Sequence, residues 1–215
     1  MNRLLKTISF MMITMTLFIV SGCEKENLFY RHEYVDLGLP SGNLWATCNV
    51  GADSPEEYGD YFAWGETEPK SLYSLDTYKY RDSVPYSSLG IDTLRASDDA
   101  ACAQWGGSWH TPNFDEWNEL CNNTNIEEMT MNGVKGLCFK GINGNSIFLP
   151  FAGDIVEDDL YAVGDVGCYW ISNGYAGDFR SIFQCFHNYI ENHATSYGDG
   201  PVYNGCSIRP VRSSE

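Results

Sequence analysis

The fold is decided by residues 97–121, which read SDDAACAQWGGSWHTPNFDEWNELC. Ser97 is expected to cap a first helix, because a hydroxyl at this position accepts a free backbone N–H and the aspartates after it suit the positive first turn. The glycine pair 106–107 is expected to end that helix, since glycine adopts the left-handed backbone found just past helices. Thr111 and Pro112 predict a second start, with a capping hydroxyl followed by proline at the first helical position. The apolar face of this second helix is predicted from helical spacing and consists of Phe114, Trp117, Leu120 and Cys121.

Strands are predicted on both sides of these helices. On the N-terminal side, Glu33–Leu39 and Leu44–Val50 alternate around a turn-rich cluster, and Tyr58–Trp64 is an aromatic-rich strand candidate. Residues 66–96, rich in Ser, Tyr and Asp, are expected to form a long surface loop. On the C-terminal side the predicted strands are Val134–Lys140, Ser146–Phe151, Tyr169–Ser172, Phe179–Phe186 and Cys206–Val211. Asn-Gly pairs at 132–133 and 143–144 predict tight turns, so the first two of these strands are expected to form a hairpin. Strands, two helices and more strands predict an α+β domain.

The first 22 residues have the pattern of a secretory signal. Arg3 and Lys6 form a positive start, and Ile8–Val20 is an apolar run shorter than the roughly 20 residues that a spanning helix needs. The run ends at Val-Ser-Gly before Cys23, which resembles the lipobox of bacterial lipoproteins. By that resemblance residues 1–22 are removed, Cys23 carries acyl chains such as palmitate, and residues 23–32 are a tether. The acidic cluster 24–26 resembles an outer-surface display signal, so we expect an outer membrane lipoprotein.

The composition limits the partners of the chain. The net charge is −16, and removal of Arg3 and Lys6 with the signal would bring it to −18. Such a protein repels phosphate backbones, so nucleic-acid binding is disfavoured. Eight cysteines are present. Lipidation of Cys23 would leave seven, an odd number, without the close spacing of redox or zinc motifs.

Several segments together resemble one family over residues 33–213. They are YVDLGLPSG (34–42), LWATCNVG (44–51), YGDYFAWGET (58–67), WGGSWHTP (105–112), NSIFLPFAG (145–153), YWIS (169–172) and SIRPV (207–211). The chain is similar in these segments to the Fibrobacter succinogenes major paralogous domain family, which is common in exported lipoproteins of Bacteroidetes.

The resemblance implies a C-type-lectin-like fold, with two helices, mainly antiparallel strands, long loops on one side, and first and last strands that pair. The family typically has Arg where His110 stands. The implied closeness of helix 1 to the last strand suggests a disulfide between Cys102 and Cys206. The family has no established common activity, and a fold does not by itself give a function.

Signatures of catalysis and metal binding are weak in this chain. The string around Ser108 does not match a nucleophile elbow. His187 and His193 do not have the spacing of a short metal motif, and the sugar-binding calcium motifs of C-type lectins are missing. The acidic stretch 154–165 is read as a solvated loop rather than a calcium site. We therefore expect no enzyme activity, no catalytic residue, no cofactor and no metal.

The remaining prediction is a binding surface for a glycan or a surface protein. Aromatic rings with polar tips stack on sugars and on apolar partner patches. The candidate residues lie in proposed loops and loop edges and are Trp64, Glu66, Tyr73, Tyr78, Tyr169, Trp170 and Tyr175. Trp64 and Trp170 are also read as core residues, whereas the tyrosines between 73 and 86 are expected to be exposed. The alternatives are a structural surface-display protein and, less favoured, an enzyme of the formylglycine-generating type, which would need a close cysteine pair.

Overall fold

The computed structural model of the chain describes residues 32–82, 93–174, 180–187 and 195–214. Within those ranges the helices are α1 (Ala100–Trp105) and α2 (Phe114–Asn123). The strands are β1 (Tyr34–Asp36), β2 (Leu44–Ala46), β3 (Thr124–Met131), β4 (Val134–Gly141), β5 (Ser146–Pro150), β6 (Asp154–Val156), β7 (Asp159–Tyr161), β8 (Val166–Gly174), β9 (Arg180–His187), β10 (Thr195–Pro201) and β11 (Val211–Arg212). All pairings between these strands are antiparallel. The predicted α+β class is confirmed.

The strands form four small sheets, in the orders β1-β2-β11, β10-β9-β8, β3-β4-β5 and β6-β7. The last strand lies in the same sheet as the first, but the two do not pair. Val211 of β11 pairs with Trp45 of β2, while β1 occupies the other edge of β2. The expectation that the first and last strands pair is therefore wrong, because β2 stands between them.

Strand β8 is buried on both faces and divides the core in two. Cys168 and Trp170 pack into one cluster, while Tyr169 and Ile171 pack into the other. Successive side chains of a strand point to opposite faces, so the unbroken apolar run of β8 fits a strand covered on both sides. A register shift between Trp170 and Gly174 interrupts its pairing with β9.

The β-hairpins follow the local turn signals. Between β3 and β4, Asn132 has φ 49° and Gly133 has φ 88°, which matches a tight turn that needs positive φ at both central residues. Gly144 has φ 88° between β4 and β5. The hairpin predicted from Val134 to Phe151 is confirmed as β4 and β5.

Both helices form where predicted, but their caps differ from those expected. Asp99, not Ser97, caps α1, since its carboxylate accepts the N–H groups of Ala101 and Cys102. Thr111 does not cap α2. Asn113 does, in a reciprocal capping box with Glu116.

Two predicted strands are not continuous strands. From Tyr58 to Trp64, only Phe62 makes a bridge, to Cys206. Other carbonyl oxygens in this segment accept side-chain donors instead, as Tyr58 O does from the amide Nδ2 of Asn49 at 2.8 Å. Of the strand predicted at Cys206–Val211, only the end belongs to a sheet strand. In turn, β10 was not predicted, because TSYGDGP is polar and rich in glycine.

Candidate functional site

A cleft of about 300 Å³ lies where α1, the start of α2 and β8 come together. We call it the helix cleft. Its lining residues are Thr93, Leu94, Ala96, Asp99, Cys102, His110, Thr111, Asn113 and Ser172. They come from three separate parts of the chain, so only the folded domain brings them together.

Asp99 builds one wall of the helix cleft. Its Oδ1 accepts hydrogen bonds from the backbone N–H of Ala101 and from the hydroxyl of Thr111, at 2.9 and 2.7 Å. Its Oδ2 accepts the backbone N–H of Thr111 at 2.8 Å. This buried carboxylate therefore joins the start of α1 to the segment that leads into α2. Both of its oxygens accept structural hydrogen bonds, so Asp99 holds this wall of the cleft together.

His110 is held from three directions. Its backbone exchanges hydrogen bonds with Val211, at 3.0 and 3.1 Å. Its ring nitrogen Nδ1 lies 3.0 Å from the carbonyl oxygen of Ser108, and Nε2 lies 2.9 Å from Oε1 of Glu116. Both partners are acceptors, so both bonds form together only when the imidazole carries two protons.

The protonation of His110 is set by opposing effects. Burial lowers the pKa of His110 and is the largest single effect. The hydrogen bond and charge of Glu116, the Ser108 carbonyl and the charge of Asp99 together raise it by more, so the pKa of His110 lies above the ordinary value. Glu116 also accepts the backbone N–H of Asn113 through Oε2, at 2.8 Å. Because its two ring nitrogens are both engaged, His110 is a positioning group of the cleft wall and is not a free base.

Cys102 is the thiol of the helix cleft. Its side chain is partly exposed, and burial followed by the charge of Asp99 raises the pKa of the thiol. A raised pKa keeps the sulfur protonated at neutral pH, whereas a nucleophilic cysteine needs a lowered one. Cys102 is therefore not activated.

Three polar side chains of the helix cleft remain open to a ligand. Among the described residues, neither the amide Nδ2 of Asn113 nor the hydroxyls of Thr93 and Ser172 hydrogen-bond to the protein. The backbone around them is fixed, because Ser172 donates to Pro112 O at 2.9 Å and accepts from Leu94 N at 2.8 Å. The cleft thus offers donors and acceptors on a rigid backbone.

An exposed aromatic pair lies at the start of α2, which directly follows Asn113 in the chain. The rings of Phe114 and Tyr197 are 4.4 Å apart between centroids, and the two residues are 37% and 38% exposed. Tyr197 is held by a hydrogen bond from its hydroxyl to Asn118 Oδ1, at 2.8 Å. Phe114 follows Asn113 and donates its backbone N–H to Asn173, the neighbour of Ser172. We call these two rings the aromatic rim.

The aromatic residues predicted as a binding surface lie in the core instead. Tyr73 and Tyr78 were expected to be exposed, but they are only 2% and 5% exposed, so that expectation is wrong. Trp64, Tyr169 and Trp170 are buried as well. Tyr175 lies outside the described residues. None of the five buried side chains offers a face to a ligand.

Hydrogen bonds to backbone carbonyls explain how these polar rings are buried. The hydroxyl of Tyr78 donates to Trp64 O at 2.9 Å, and that of Tyr73 donates to Tyr61 O. The indole Nε1 of Trp64 donates to Ile171 O at 2.9 Å. A buried hydroxyl or indole N–H with a partner avoids most of the cost of desolvation.

Glu66 is also a structural residue. It is 8% exposed, lies 3.0 Å from the ammonium of Lys70 and accepts the backbone N–H of Lys79 at 2.7 Å. Lys70 in turn lies over the rings of Tyr73 and Tyr78. Glu66 therefore fixes the loop that follows it, and its predicted role in ligand binding is not supported by its position.

The cysteines do not form the expected pair. Cys102 and Cys206 are both free thiols. The close pair is Cys168 with Cys185, whose sulfur atoms lie 3.9 Å apart. The sequence did not reveal this pair because 17 residues separate its members and contact depends on the pairing of β8 with β9.

Metal-ligating residues do not gather in the part of the chain that the structure describes, where no group of three or more His, Cys, Asp or Glu residues could hold an ion. The acidic stretch from Asp154 forms the β6-β7 hairpin. In the same described ranges, no helix is long and apolar enough to cross a membrane.

Comparisons with known proteins give no further guide: no family model, curated protein or solved structure matches this chain.

The helix cleft could be only partly anticipated from sequence. Phe114 was read as part of the apolar face of its helix, and Tyr197 stands in a segment without a strand pattern. Asn113 and Ser172 carry no motif. The one available signal was the Asn113–Glu116 spacing of a capping box, which predicts a helix start and not a ligand site.

Proposed function

We propose that this chain is an envelope-anchored lipoprotein whose single domain binds a glycan or a protein partner without catalysis. The observation that carries the proposal is the helix cleft, with three unpaired polar side chains next to the aromatic rim. The signal-like residues 1–22 and Cys23, which lie outside the described residues, support the anchor through their sequence alone. The resemblance to C-type-lectin-like domains belongs to the same proposal, supported by the two helices and the sheet shared by β1, β2 and β11.

A neutral glycan fits the chemistry of the helix cleft well. The C–H face of a sugar ring stacks on an exposed aromatic ring, and its hydroxyls pair with amide and hydroxyl groups. Asn113, Thr93 and Ser172 supply those groups beside Phe114. An anionic ligand is disfavoured, because the chain carries a net charge of −16 and the buried carboxylate of Asp99 lies in the cleft wall.

A binding role suits this site better than a catalytic one. The thiol of Cys102 has a raised pKa, and both ring nitrogens of His110 are occupied. The formylglycine-generating alternative needs an accessible cysteine pair. Cys168 and Cys185 are 5% and 6% exposed, so they do not support it.

Ligand binding is tested with the full chain in detergent on a glycan array and in pull-downs from envelope extracts. Asn113→Ala and Tyr197→Ala are expected to lower the affinity for any ligand found by about tenfold each, as loss of one good contact removes roughly 1.4 kcal/mol. Tyr161→Ala is the matched control for Tyr197→Ala, because Tyr161 is 49% exposed on β7, away from the helix cleft. The proposal would be contradicted if Tyr161→Ala lowered the affinity as much as Tyr197→Ala does, or if neither screen found a ligand.

The anchor is tested separately. The expressed protein should incorporate labelled palmitate, and Cys23→Ser should release it from the membrane fraction. Protease added to whole cells should digest the domain if it faces outwards. A Cys23→Ser protein that stays membrane-bound would contradict the lipid anchor while leaving the ligand site open to its own test.

A further inference from the structure

Two buried cysteines face each other across neighbouring strands. Cys168 of β8 and Cys185 of β9 are direct partners in the antiparallel register, and their sulfur atoms are 3.9 Å apart. Both are nearly inaccessible to solvent and belong to the cluster that contains Trp170.

The backbone spacing at this position suits a disulfide. Directly opposite residues in an antiparallel pair have Cα atoms about 4.5 to 5.5 Å apart. A disulfide requires a Cα separation of about 4.4 to 6.8 Å and a sulfur–sulfur bond of about 2.05 Å. The two sulfurs must therefore approach by roughly 2 Å, which side-chain rotation can supply without moving the strands.

We propose that Cys168 and Cys185 are a modification site, converted by a disulfide oxidant into a cross-strand disulfide that joins β8 to β9. One cysteine thiolate attacks a sulfur of the oxidant's disulfide, which breaks that bond and releases one oxidant thiolate. The second cysteine thiolate then attacks the mixed disulfide and releases the other half. The two cysteines lose two protons and two electrons, and the oxidant leaves as two thiols.

Burial determines when this reaction can take place. The pKa of the Cys168 thiol is raised, first by its hydrogen bond with Cys185 and then by burial. Because the thiolate is the reactive form and the folded core excludes the oxidant, oxidation occurs while the β8-β9 hairpin is forming and before the core closes. Once the domain has folded, the same burial protects the disulfide from reduction.

A third thiol makes the proposal specific. Cys206 is 1% exposed and lies beside β8, since its neighbour Ser207 donates its backbone N–H to Cys168 O at 3.2 Å. Cys206 bridges Phe62, and the parallel bridge beside it joins Ser207 to Tyr169, so Cys206 lies next to Cys168 without a direct bridge to either cysteine. The sulfur–sulfur contact at 3.9 Å joins Cys168 to Cys185. We therefore expect Cys206 to stay reduced while Cys168 and Cys185 pair. The proposed disulfide does not depend on the lipid anchor or on ligand binding, so its test is independent of theirs.

The test is to unfold and reduce the full chain in detergent, refold it with oxidised and reduced glutathione, and map linkages after trapping free thiols with N-ethylmaleimide. Wild type and Cys206→Ala are expected to yield a peptide pair linked through 168 and 185. Cys168→Ala and Cys185→Ala should yield none, and reduction should lower the melting temperature of wild type by several degrees. The wild-type map alone decides the matter if a variant fails to fold.

The proposal is overturned if Cys168 and Cys185 are both fully alkylated in the refolded wild-type protein. It is equally overturned if the linked peptides contain Cys206 in place of either residue.

Discussion

Arg209 and Asn49 form a hydrogen bond inside the core, from the guanidinium Nε to Oδ1 at 2.9 Å, and both side chains have no solvent exposure. The same guanidinium donates to the carbonyl oxygens of Ala46, Thr47 and Phe148. No carboxylate pairs with it among the described residues. The buried charge is thus stabilised by oxygen dipoles from separate segments, and Arg209 connects the C-terminal segment to β2 and β5.

Loss of this guanidinium is expected to destabilise the domain strongly. Arg209→Met leaves several buried oxygens without a donor, each at about 1–3 kcal/mol, so we expect the free energy of unfolding to fall by at least about 3 kcal/mol. Arg209→Lys should also destabilise, because an ammonium cannot reach the same spread of acceptors. Urea denaturation measures both. Arg81→Met is the control at the surface, where ion pairs contribute less than about 1 kcal/mol; an equal effect in both variants would contradict the role of Arg209.

The contact between His110 and Glu116 predicts a pH dependence. The pKa of His110 is raised in the folded domain, whereas an unfolded histidine has a pKa of about 6.5. The stabilisation is therefore complete below that unfolded pKa and is lost as the pH rises through the folded pKa. The difference in unfolding free energy between wild type and His110→Asn should shrink from acidic to alkaline pH. Urea denaturation across that range tests this, and a difference that grows with pH would refute it.

The buried tyrosines are expected to affect stability and not binding. Tyr78→Phe removes the hydroxyl that donates to Trp64 O, so the unfolding free energy should fall by about 1–2 kcal/mol. Ligand affinity should not change. Tyr161→Phe, on an exposed hairpin, should stay within about 0.5 kcal/mol of wild type. A Tyr78→Phe protein of normal stability with weakened binding would restore Tyr78 as a ligand contact.

Gly141, the last residue of β4, allows a close approach between two chain segments. A Cβ atom at this position would lie only 1.9 Å from the carbonyl oxygen of Leu37. Gly141→Ala must displace backbone, so we expect a loss of about 3 kcal/mol in unfolding free energy. At Gly133, which has φ 88° and open space around it, alanine should cost only about 1 kcal/mol of backbone strain. Denaturation curves in which Gly133→Ala is the more damaging change would contradict this packing.

Local chemistry explains which predictions were confirmed. The Asn132–Gly133 turn, the β4-β5 hairpin and the two helices depend on residues close together in sequence, so their signals could be read directly. The helix caps are the first features that differ from the sequence prediction. Ser97 fits the helix-start pattern, yet Asp99 takes the cap because its carboxylate also bonds Thr111 across the fold.

The site itself depended on contacts between distant segments. Tyr73 and Tyr78 stand in a polar, loop-like stretch and so were expected on the surface. They are buried because their rings pack into the core cluster that contains Trp64 and Trp170, where carbonyls of residues 61–64 accept their hydroxyls. Conversely Phe114, read as part of an apolar helix face, is one of the exposed rings of the aromatic rim.

By itself, the sequence determined the α+β class, the positions of the helices and of the β4-β5 hairpin, the acidic charge and the signal-like start, since each depends on neighbouring residues or on composition. The tertiary structure alone decided which polar side chains border the helix cleft, which aromatic rings are buried and which cysteines meet. The physical reason is that hydrogen-bond partners and strand register join residues far apart in the chain, and no local pattern records that pairing.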